Sequence, residues 1–181
     1  MKKDTYFPDI IGQNTVKKAL GFYIDGFKST GLIPHMMFTA PRGCGKTTMA
    51  TAMAKNLTDL DGRPKPLITV NCSTIKSLKQ FFNMFVIPYM NDRDASILFD
   101  ECSELPKDVT MALLTILNPN KENRTSFSYE DYTVDFDFKR LSFLFATTEG
   151  QSIFHALMDR MERIDLEEYT YDELGRIVMC G

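Results

Sequence analysis

A glycine-rich run of eight residues places the strongest constraint on how this chain can fold. It matches the pattern G-x-x-x-x-G-K-[ST] except at its first position, where alanine replaces glycine. A short apolar segment over 36–39 precedes the run, and a helical apolar face (Met49, Met53, Leu57) follows it. The run therefore predicts a phosphate-binding loop between a strand and a helix. Its residues are Ala40, Pro41, Arg42, Gly43, Cys44, Gly45, Lys46 and Thr47.

Each part of this loop suits the binding of a nucleoside triphosphate. Small residues let successive backbone N–H groups point at a phosphate, and the helix that begins near Lys46 adds its positive N-terminal dipole. Lys46 supplies a mobile cation for the β- and γ-phosphates, the Thr47 hydroxyl is a ligand for Mg²⁺, and Thr48 extends the contact. A chance glycine-rich turn is the alternative, and the flanking strand and helix disfavour it. Cys44 is interpreted as a small loop residue, with a reactive thiol as the alternative.

A pair of acids after a second apolar segment completes the predicted chemistry. Asp100 and Glu101 follow the apolar residues 97–99, which have the composition of a buried strand. A phosphate-loop enzyme needs one carboxylate to hold Mg²⁺ and another to polarise the attacking water. We therefore assign Asp100 to the metal and Glu101 to the water. A strand that ends in acids by chance is the alternative, and the phosphate loop makes it less favoured.

Short apolar strands alternate with amphipathic helices along most of the chain. This alternation predicts an α/β fold with a parallel five-stranded sheet and helices on both faces. A helix predicted over 75–86 ends before Pro88, and Thr170 with Glu173 forms a capping box for a last helix. The five strands are predicted at 36–39, 67–70, 96–99, 142–147 and 164–167.

One segment departs from this alternation. Aromatic and β-branched residues over 124–138 follow a two-residue period, which predicts a β-hairpin inserted before the fourth strand. Glu130 and Asp131 lie between its two halves. This dipeptide is unfavourable in a two-residue turn, so we expect a longer tip.

Composition excludes several classes of protein. No apolar run approaches the ~18 residues that a membrane-spanning helix needs, and residues 1–5 contain no apolar signal core. The four cysteines are scattered without a second ligand nearby, which disfavours zinc and disulfides. We therefore expect a cytoplasmic protein without a membrane partner. A net charge of −3 also disfavours a domain that grips nucleic acid by itself.

The order of these motifs resembles that of AAA+ ATPases. Within that superfamily the chain is most similar to RuvB-type Holliday-junction branch-migration motors, and clamp-loader ATPases are a close second. The inserted hairpin and the residues 157–161 favour the RuvB-type motors. The resemblance implies a P-loop NTPase core that binds and hydrolyses ATP with Mg²⁺ in DNA processing. The segments that carry it are 9–13, 34–38 entering the loop, 99–101 and 145–148.

The resemblance also implies roles for residues outside the two motifs. Thr148 matches the sensor-1 position, which helps to place the attacking water, with an ordinary threonine at a strand end as the alternative. Arg160 matches the arginine finger, which projects into a neighbouring subunit's site, and Arg163 is the rival candidate. Ile10 and Ile11 match the apolar segment beside adenine, with a plain core role as the alternative.

A finger that acts on a neighbour implies an assembly, and the family implies a homo-hexameric ring or pairing with a longer AAA+ subunit. Residues 124–138 match the region that docks a junction-binding partner, although an acidic structural hairpin is equally compatible. Residues 1–170 form the expected nucleotide-binding core, and 171–181 begin a truncated or missing helical lid. DNA contact is then expected through a partner or a missing domain. A nucleotide-gated binding module with little turnover, or a structural subunit of a longer motor, is the alternative.

Overall fold

In a computed structural model, which describes residues 5–153 and 155–180, the chain forms a parallel sheet with helices on both faces. Five strands pair in parallel, in the spatial order Leu67–Asn71, Ala95–Asp100, Leu141–Thr147, Met36–Thr39 and Glu162–Asp165, which confirms the predicted sheet. Residues 1–4, part of the segment without a signal core, lie outside the described residues. The strands are β1 (Met36–Thr39), β2 (Leu67–Asn71), β3 (Ala95–Asp100), β4 (Arg124–Tyr129), β5 (Tyr132–Asp137), β6 (Leu141–Thr147) and β7 (Glu162–Asp165).

Two apolar cores lie on the two faces of the sheet, because successive side chains of a strand point in opposite directions. Met36 and Phe38 of β1 belong to the core that contains the helices Asn14–Thr30 and Lys46–Ala54, whereas Met37 joins the core that contains the helix Lys107–Ile116 and the hairpin. Both cores consist mainly of fully buried aliphatic and aromatic side chains. The α-helices are α1 (Asn14–Thr30), α2 (Lys46–Ala54), α3 (Leu78–Phe81), α4 (Lys107–Ile116), α5 (His155–Met158) and α6 (Tyr171–Cys180).

The helix after β2 continues further than the sequence predicts. It begins at Leu78 and continues from α3 as a π-helix over Phe82–Met90, so the prediction that it ends before Pro88 is wrong. Proline removes one backbone donor, but a π-helix bonds residues five apart, and the N–H of Asn91 reaches the carbonyl of Val86 at 3.0 Å. Burial of every fourth side chain against the sheet holds this wider helix in place. These side chains are Phe82, Val86 and Met90.

The predicted hairpin is present as β4 and β5, but its tip is shorter than expected. Tyr129 pairs directly with Tyr132, which leaves Glu130 and Asp131 as a two-residue turn. Glu130 takes the left-handed backbone conformation (φ 52°) that such a turn needs at its first central position. Packing overrides the unfavourable turn residues, because Phe127 and Tyr129 lie 5.5 and 4.9 Å from the ring of Phe82.

The last strand, β7, begins two residues earlier than predicted. It spans Glu162–Asp165 rather than 164–167, because its four residues pair in register with the four residues of β1. The capping box that follows is confirmed: Thr170 and Glu173 exchange two hydrogen bonds of 2.9 and 3.2 Å at the start of α6. Among the described residues, no helix is long and apolar enough to cross a membrane.

A buried lysine at the amino edge of the sheet gives this fold a testable pH dependence. Lys65 is 5% exposed, donates to the Ser142 hydroxyl at 2.9 Å and lies 5.4 Å from the ring centre of Phe27. Burial lowers the pKa of Lys65 to about 8, although the carboxylates of Asp94, Asp59 and Asp137 attract the charge. The folded state therefore binds fewer protons than the unfolded state between pH 8 and the ordinary lysine value. Stability should rise with pH across that window.

We predict that Lys65→Met raises the free energy of unfolding at pH 7 by about 1–2 kcal/mol and flattens its rise between pH 8 and 10. Urea unfolding at several pH values measures both effects. Lys79→Met changes an exposed lysine and serves as the control, with no change expected. A large loss of stability in Lys65→Met at pH 7 would contradict the prediction.

Candidate functional site

The phosphate-binding loop joins β1 to α2 in the conformation that its glycines permit. Gly43 and Gly45 both adopt left-handed backbone conformations, with φ of 83° and 79°. The N–H of Cys44 closes a tight turn onto the carbonyl of Pro41 at 3.2 Å, and α2 begins at Lys46. The first N–H groups of a helix have no partner within it, so the loop and the first turn of α2 present free donors to an anion.

Alanine at the first position of the loop has a structural explanation. Ala40 is 6% exposed, and its methyl group belongs to the apolar core beneath α2. Ala40 is not among the residues with positive φ, so its backbone does not require glycine. The methyl group therefore fills space at the end of β1. Pro41 and Arg42 beyond it are exposed.

The two acids of β3 lie beside the lysine and threonine of the loop. The Thr47 hydroxyl lies 3.4 Å from Asp100 Oδ1, and Lys46 Nζ lies 3.9 Å from Glu101 Oε1. Lys46 is only 8% exposed, while the side chain of Glu101 is 45% exposed and faces solvent. The structure thus brings together a cation, a hydroxyl and two carboxylates that are more than fifty residues apart in sequence.

Glu101 adopts an unusual backbone conformation. Its φ of 54° lies in the left-handed region, which costs a residue with a side chain about 1–2 kcal/mol. The N–H of Glu101 donates to Asp100 Oδ1 at 3.0 Å, which ties the two acids together. Strain of this kind concentrates at functional sites, where it aims a side chain. Here it directs the second carboxylate out of the strand and towards Lys46.

Thr148 follows the end of β6, the strand between β1 and β3 in the sheet. Register pairs Thr147 with Thr39 and Ala146 with Asp100, so Thr148 lies between the start of the loop and the acid pair. The hydroxyl of Thr147 accepts from the N–H of Glu149 at 3.0 Å and shapes the turn around Thr148. Its position suits the predicted role, which stays a prediction.

Ile10 and Ile11 lie in an N-terminal segment that separates two cavities. Ile10 lines a cavity of about 490 Å³ together with Thr47, Thr48 and Thr51 of α2. Ile11 lines a wider one of about 1160 Å³ against α6, opposite Leu174. Both isoleucines are half-buried, and the cavity beside Ile10 reaches Thr47 at the end of the loop. Ile10 also packs against the apolar core beneath α2, so the place of both isoleucines beside a base stays a prediction.

Of the two candidate finger arginines, Arg160 lies near the edge of the sheet opposite the loop, and Arg163 lies within β7. Arg160 precedes β7, whose first residue pairs with the first residue of β1, whereas the loop follows the last residue of β1. Four strand residues, about 13 Å, therefore separate the two edges. Arg160 folds back onto α5, where it donates to the carbonyl of Ala156 at 2.7 Å.

Arg163, the rival candidate, is already engaged within its own strand. Its Nε donates to Asp165 at 2.7 Å, and the hydroxyl of Thr39 donates to the same carboxylate. Burial acts to raise the pKa of Asp165, but the hydrogen bonds from Thr39 and Arg163 outweigh it and hold that pKa below its ordinary value. Arg163 thus helps to fix the end of β1, and both arginines are engaged within the chain.

Tyr169 is a residue of the site that the sequence analysis missed. Its hydroxyl lies 3.0 Å from the position that a side chain on Gly45 would occupy, so it closes over the glycine that precedes Lys46. The motif pattern does not extend to this residue, which lies more than 120 positions after the loop. Its one sequence signal is its place just before the capping box at Thr170.

We predict that Gly45→Ala lowers the free energy of unfolding by about 1–2 kcal/mol, because the methyl group meets a left-handed backbone and the Tyr169 hydroxyl. Gly26→Ala is the matched control, since Gly26 lies within α1 with open space around it. That change should raise stability by about 0.5–1 kcal/mol. Urea unfolding measures both variants, and equal effects would contradict the interpretation of Gly45.

Sequence comparisons relate this chain to known ATPases. A family model described as ATPase family associated with various cellular activities (AAA) matches residues 36–169. A peroxisomal Lon protease homolog 2 of Zea mays is 27% identical over 98% of the chain and 21% of its own length. The RuvB subunit of the Holliday junction branch migration complex of Campylobacter hominis is 24% identical over 99% of the chain and 51% of its own length.

Solved structures give the same fold. The P216G mutant of Thermotoga maritima RuvB superimposes with a TM-score of 0.74 at 22% identity, covering 95% of this chain and 52% of that one. The chain spans about a fifth of this Lon relative and about half of the RuvB proteins. The family match includes the loop, the acid pair, Thr148 and Arg160. On this match, the chain belongs to the AAA family of ATPases.

Proposed function

We propose that this protein binds ATP with Mg²⁺ and hydrolyses it. The observation that carries the proposal is the convergence of Lys46 and Thr47 with Asp100 and Glu101 at one edge of the sheet. Lys46 is nearly buried, and its closest acid is 3.9 Å away, so its charge is available to a phosphate chain. The free N–H groups of the loop supply the remaining donors for that chain.

The oxygen atoms of Thr47 and Asp100 fit a magnesium ion. They lie 3.4 Å apart, and both are hard donors of the kind that Mg²⁺ prefers. The described residues contain no group of three His, Cys, Asp or Glu that could cage a metal. This suits an ion that takes its other ligands from phosphate and water. Magnesium in this position would neutralise charge on the transferred phosphoryl group.

Glu101 is positioned to act on the attacking water. Its carboxylate is half exposed and tethered through the backbone to Asp100, so it reaches the solvent side of the loop. A carboxylate there accepts a hydrogen bond from water and orients it for attack on the γ-phosphate. We propose that Thr148, at the end of the adjacent strand, fixes the same water from the other side.

Hydrolysis is proposed to require a second copy of the chain. Arg160 lies near the edge of the sheet opposite the loop, about 13 Å away along β1, so it cannot serve its own site. Released from the Ala156 carbonyl, its guanidinium can reach a neighbour's phosphate and stabilise the transition state. Repetition of such a head-to-tail contact closes a ring, for which we propose six subunits.

The substrate of the assembly is proposed to be branched DNA, as in Holliday-junction branch migration. The support is the similarity to RuvB proteins together with the inserted β4–β5 hairpin, whose outer residues are polar and acidic. With a net charge of −3, the chain is proposed to meet DNA through a partner docked at 124–138 or through a further domain. A clamp-loader-like role fits the same site.

A second candidate is a motor that acts on polypeptides. The observation in its favour is the similarity to several proteins named Lon protease, at 26–28% identity. ATPase assays with branched DNA and with an unfolded protein distinguish the candidates. Stimulation by DNA supports the first, and stimulation by the unfolded protein alone replaces it with the second.

We predict that Lys46→Ala abolishes nucleotide binding, because the buried cation of the loop is lost. Glu101→Gln should retain binding but lower turnover at least 100-fold, because an amide cannot activate water. Binding of a fluorescent ATP analogue and phosphate release measure the two steps. Glu104→Gln, three residues beyond Glu101, is the control for loss of a carboxylate. If neither Lys46→Ala nor Glu101→Gln changes the assembled protein, the proposal fails.

The role of Arg160 can be tested by complementation. Arg160→Ala and Glu101→Gln proteins should each be nearly inactive alone, because one lacks the finger and the other lacks the base. Mixing them should restore phosphate release, since some interfaces then combine an intact site with an intact finger. Arg163→Ala replaces Arg160→Ala in the control mixture. Arg163→Ala should remain active alone; if it is instead inactive alone and restored by Glu101→Gln, the finger is Arg163.

A further inference from the structure

Gln13 makes an unusual connection between the two ends of the described chain. Its side-chain amide donates to the carbonyl of Glu167 at 2.7 Å, and its side-chain oxygen accepts from the N–H of the same residue at 2.9 Å. Gln13 is 3% exposed, and its backbone is left-handed with φ of 56°. Although it precedes α1, its side chain makes no capping bond to that helix.

Gly12, next to Gln13, lies close to the carboxylate of Glu173. A side chain on Gly12 would meet a carboxylate oxygen of Glu173 at 2.7 Å, and Gly12 is also left-handed, with φ of 69°. Glu173 is held in turn by its capping box with Thr170. Residues 12–13 therefore grip residues 167–173 through one pair of hydrogen bonds and one close contact.

The gripped segments each carry a part of the nucleotide site. Ile10, which lines the cavity that reaches Thr47, and Ile11, which lines the cavity against α6, immediately precede Gly12. Tyr169, whose hydroxyl lies against Gly45, is two residues beyond Glu167. Residues 10–11, the phosphate-binding loop and Tyr169 come from distant parts of the sequence. The two hydrogen bonds between Gln13 and Glu167, here called the Gln13 clamp, directly link the N-terminal segment to the segment that carries Tyr169.

We propose that Gln13 is a positioning residue for the ATP site, which acts by holding Tyr169 over the loop at the same time as it holds Ile10 and Ile11 beside it. This inference rests on the proposed ATP hydrolysis. In this proposal Gln13 does not contact the nucleotide itself. Its side-chain amide fixes the distance between Ile10 and Ile11, which lie beside the base, and the Tyr169 hydroxyl, which lies beside the phosphates. A glutamine is required because it both donates and accepts, and a buried carboxylate or thioether cannot do both.

The test compares Gln13→Met with Gln80→Met in the full chain. Gln80 also uses its side chain to bond backbone, accepting from the N–H of Lys76 at 2.6 Å, but it lies on α3 and lines neither of the two cavities that Ile10 and Ile11 border. Steady-state ATP hydrolysis gives KM and kcat, and thermal unfolding shows that each variant is folded. We expect Gln13→Met to raise KM about tenfold with kcat little changed, because nucleotide positioning is weakened. Gln80→Met should leave KM unchanged.

A double-mutant cycle with Tyr169→Phe separates positioning from a general loss of stability. If Gln13 acts through Tyr169, the KM of the double variant should be close to that of the single variants rather than the product of their effects. Fully multiplicative effects on KM, or a fall in kcat with KM unchanged, would overturn the proposal. If Gln13→Met fails to fold, Gln13→Asn keeps an uncharged amide but shortens its reach, and it provides the same comparison.

The outcomes also separate this inference from the function on which it rests. If the unaltered protein neither binds nor hydrolyses ATP, the proposed function fails. If Lys46→Ala abolishes binding while Gln13→Met binds and turns over normally, the proposed function stands and only the role of Gln13 is lost.

Discussion

The meeting of a buried lysine with two carboxylates at one edge of a parallel sheet is the contact on which the rest of the structure depends. Lys46 and Glu101 lie 3.9 Å apart because β1 and β3 run in the same direction and end together, with β6 between them. Parallel strands need long crossover connections, and these place α2 on one face of the sheet and α4 on the other, while α1 precedes β1 and packs on the same face as α2. The parallel direction of the strands therefore determines both where the helices pack and which side chains meet at the carboxyl edge.

That arrangement divides the site between elements of different kinds. The loop and the acid pair sit on the ends of buried strands, so their positions are set by packing. Ile10 and Tyr169 lie instead on segments outside the sheet, which reach the loop from its two sides. A nucleotide would lie between the loop and acid pair on one side and the segments of Ile10 and Tyr169 on the other. The hydrogen bonds of Gln13 set the distance between those two segments.

The sheet, the loop and the acid pair could be predicted from sequence because each depends on a local pattern. Apolar strands of four to seven residues and a glycine spacing are visible without knowledge of the neighbours. The helix through Pro88 and the two-residue tip at Glu130 were mispredicted, because burial of Phe82 beneath the hairpin overrides local preference there. Tyr169 and Gln13 were missed for a related reason, since their partners lie more than 120 residues away and leave no periodic signal.

The buried methyl group of Ala40 has a consequence for how chains of this kind are recognised. A motif search that insists on glycine at the first place of the loop would discard this sequence, although the backbone at that place does not need one. Within the loop, glycine is required only at Gly43 and Gly45, where the backbone has a positive φ. A search could instead score each position of a candidate loop by the backbone conformation that it must adopt. Such a search would find divergent family members that a fixed sequence motif misses.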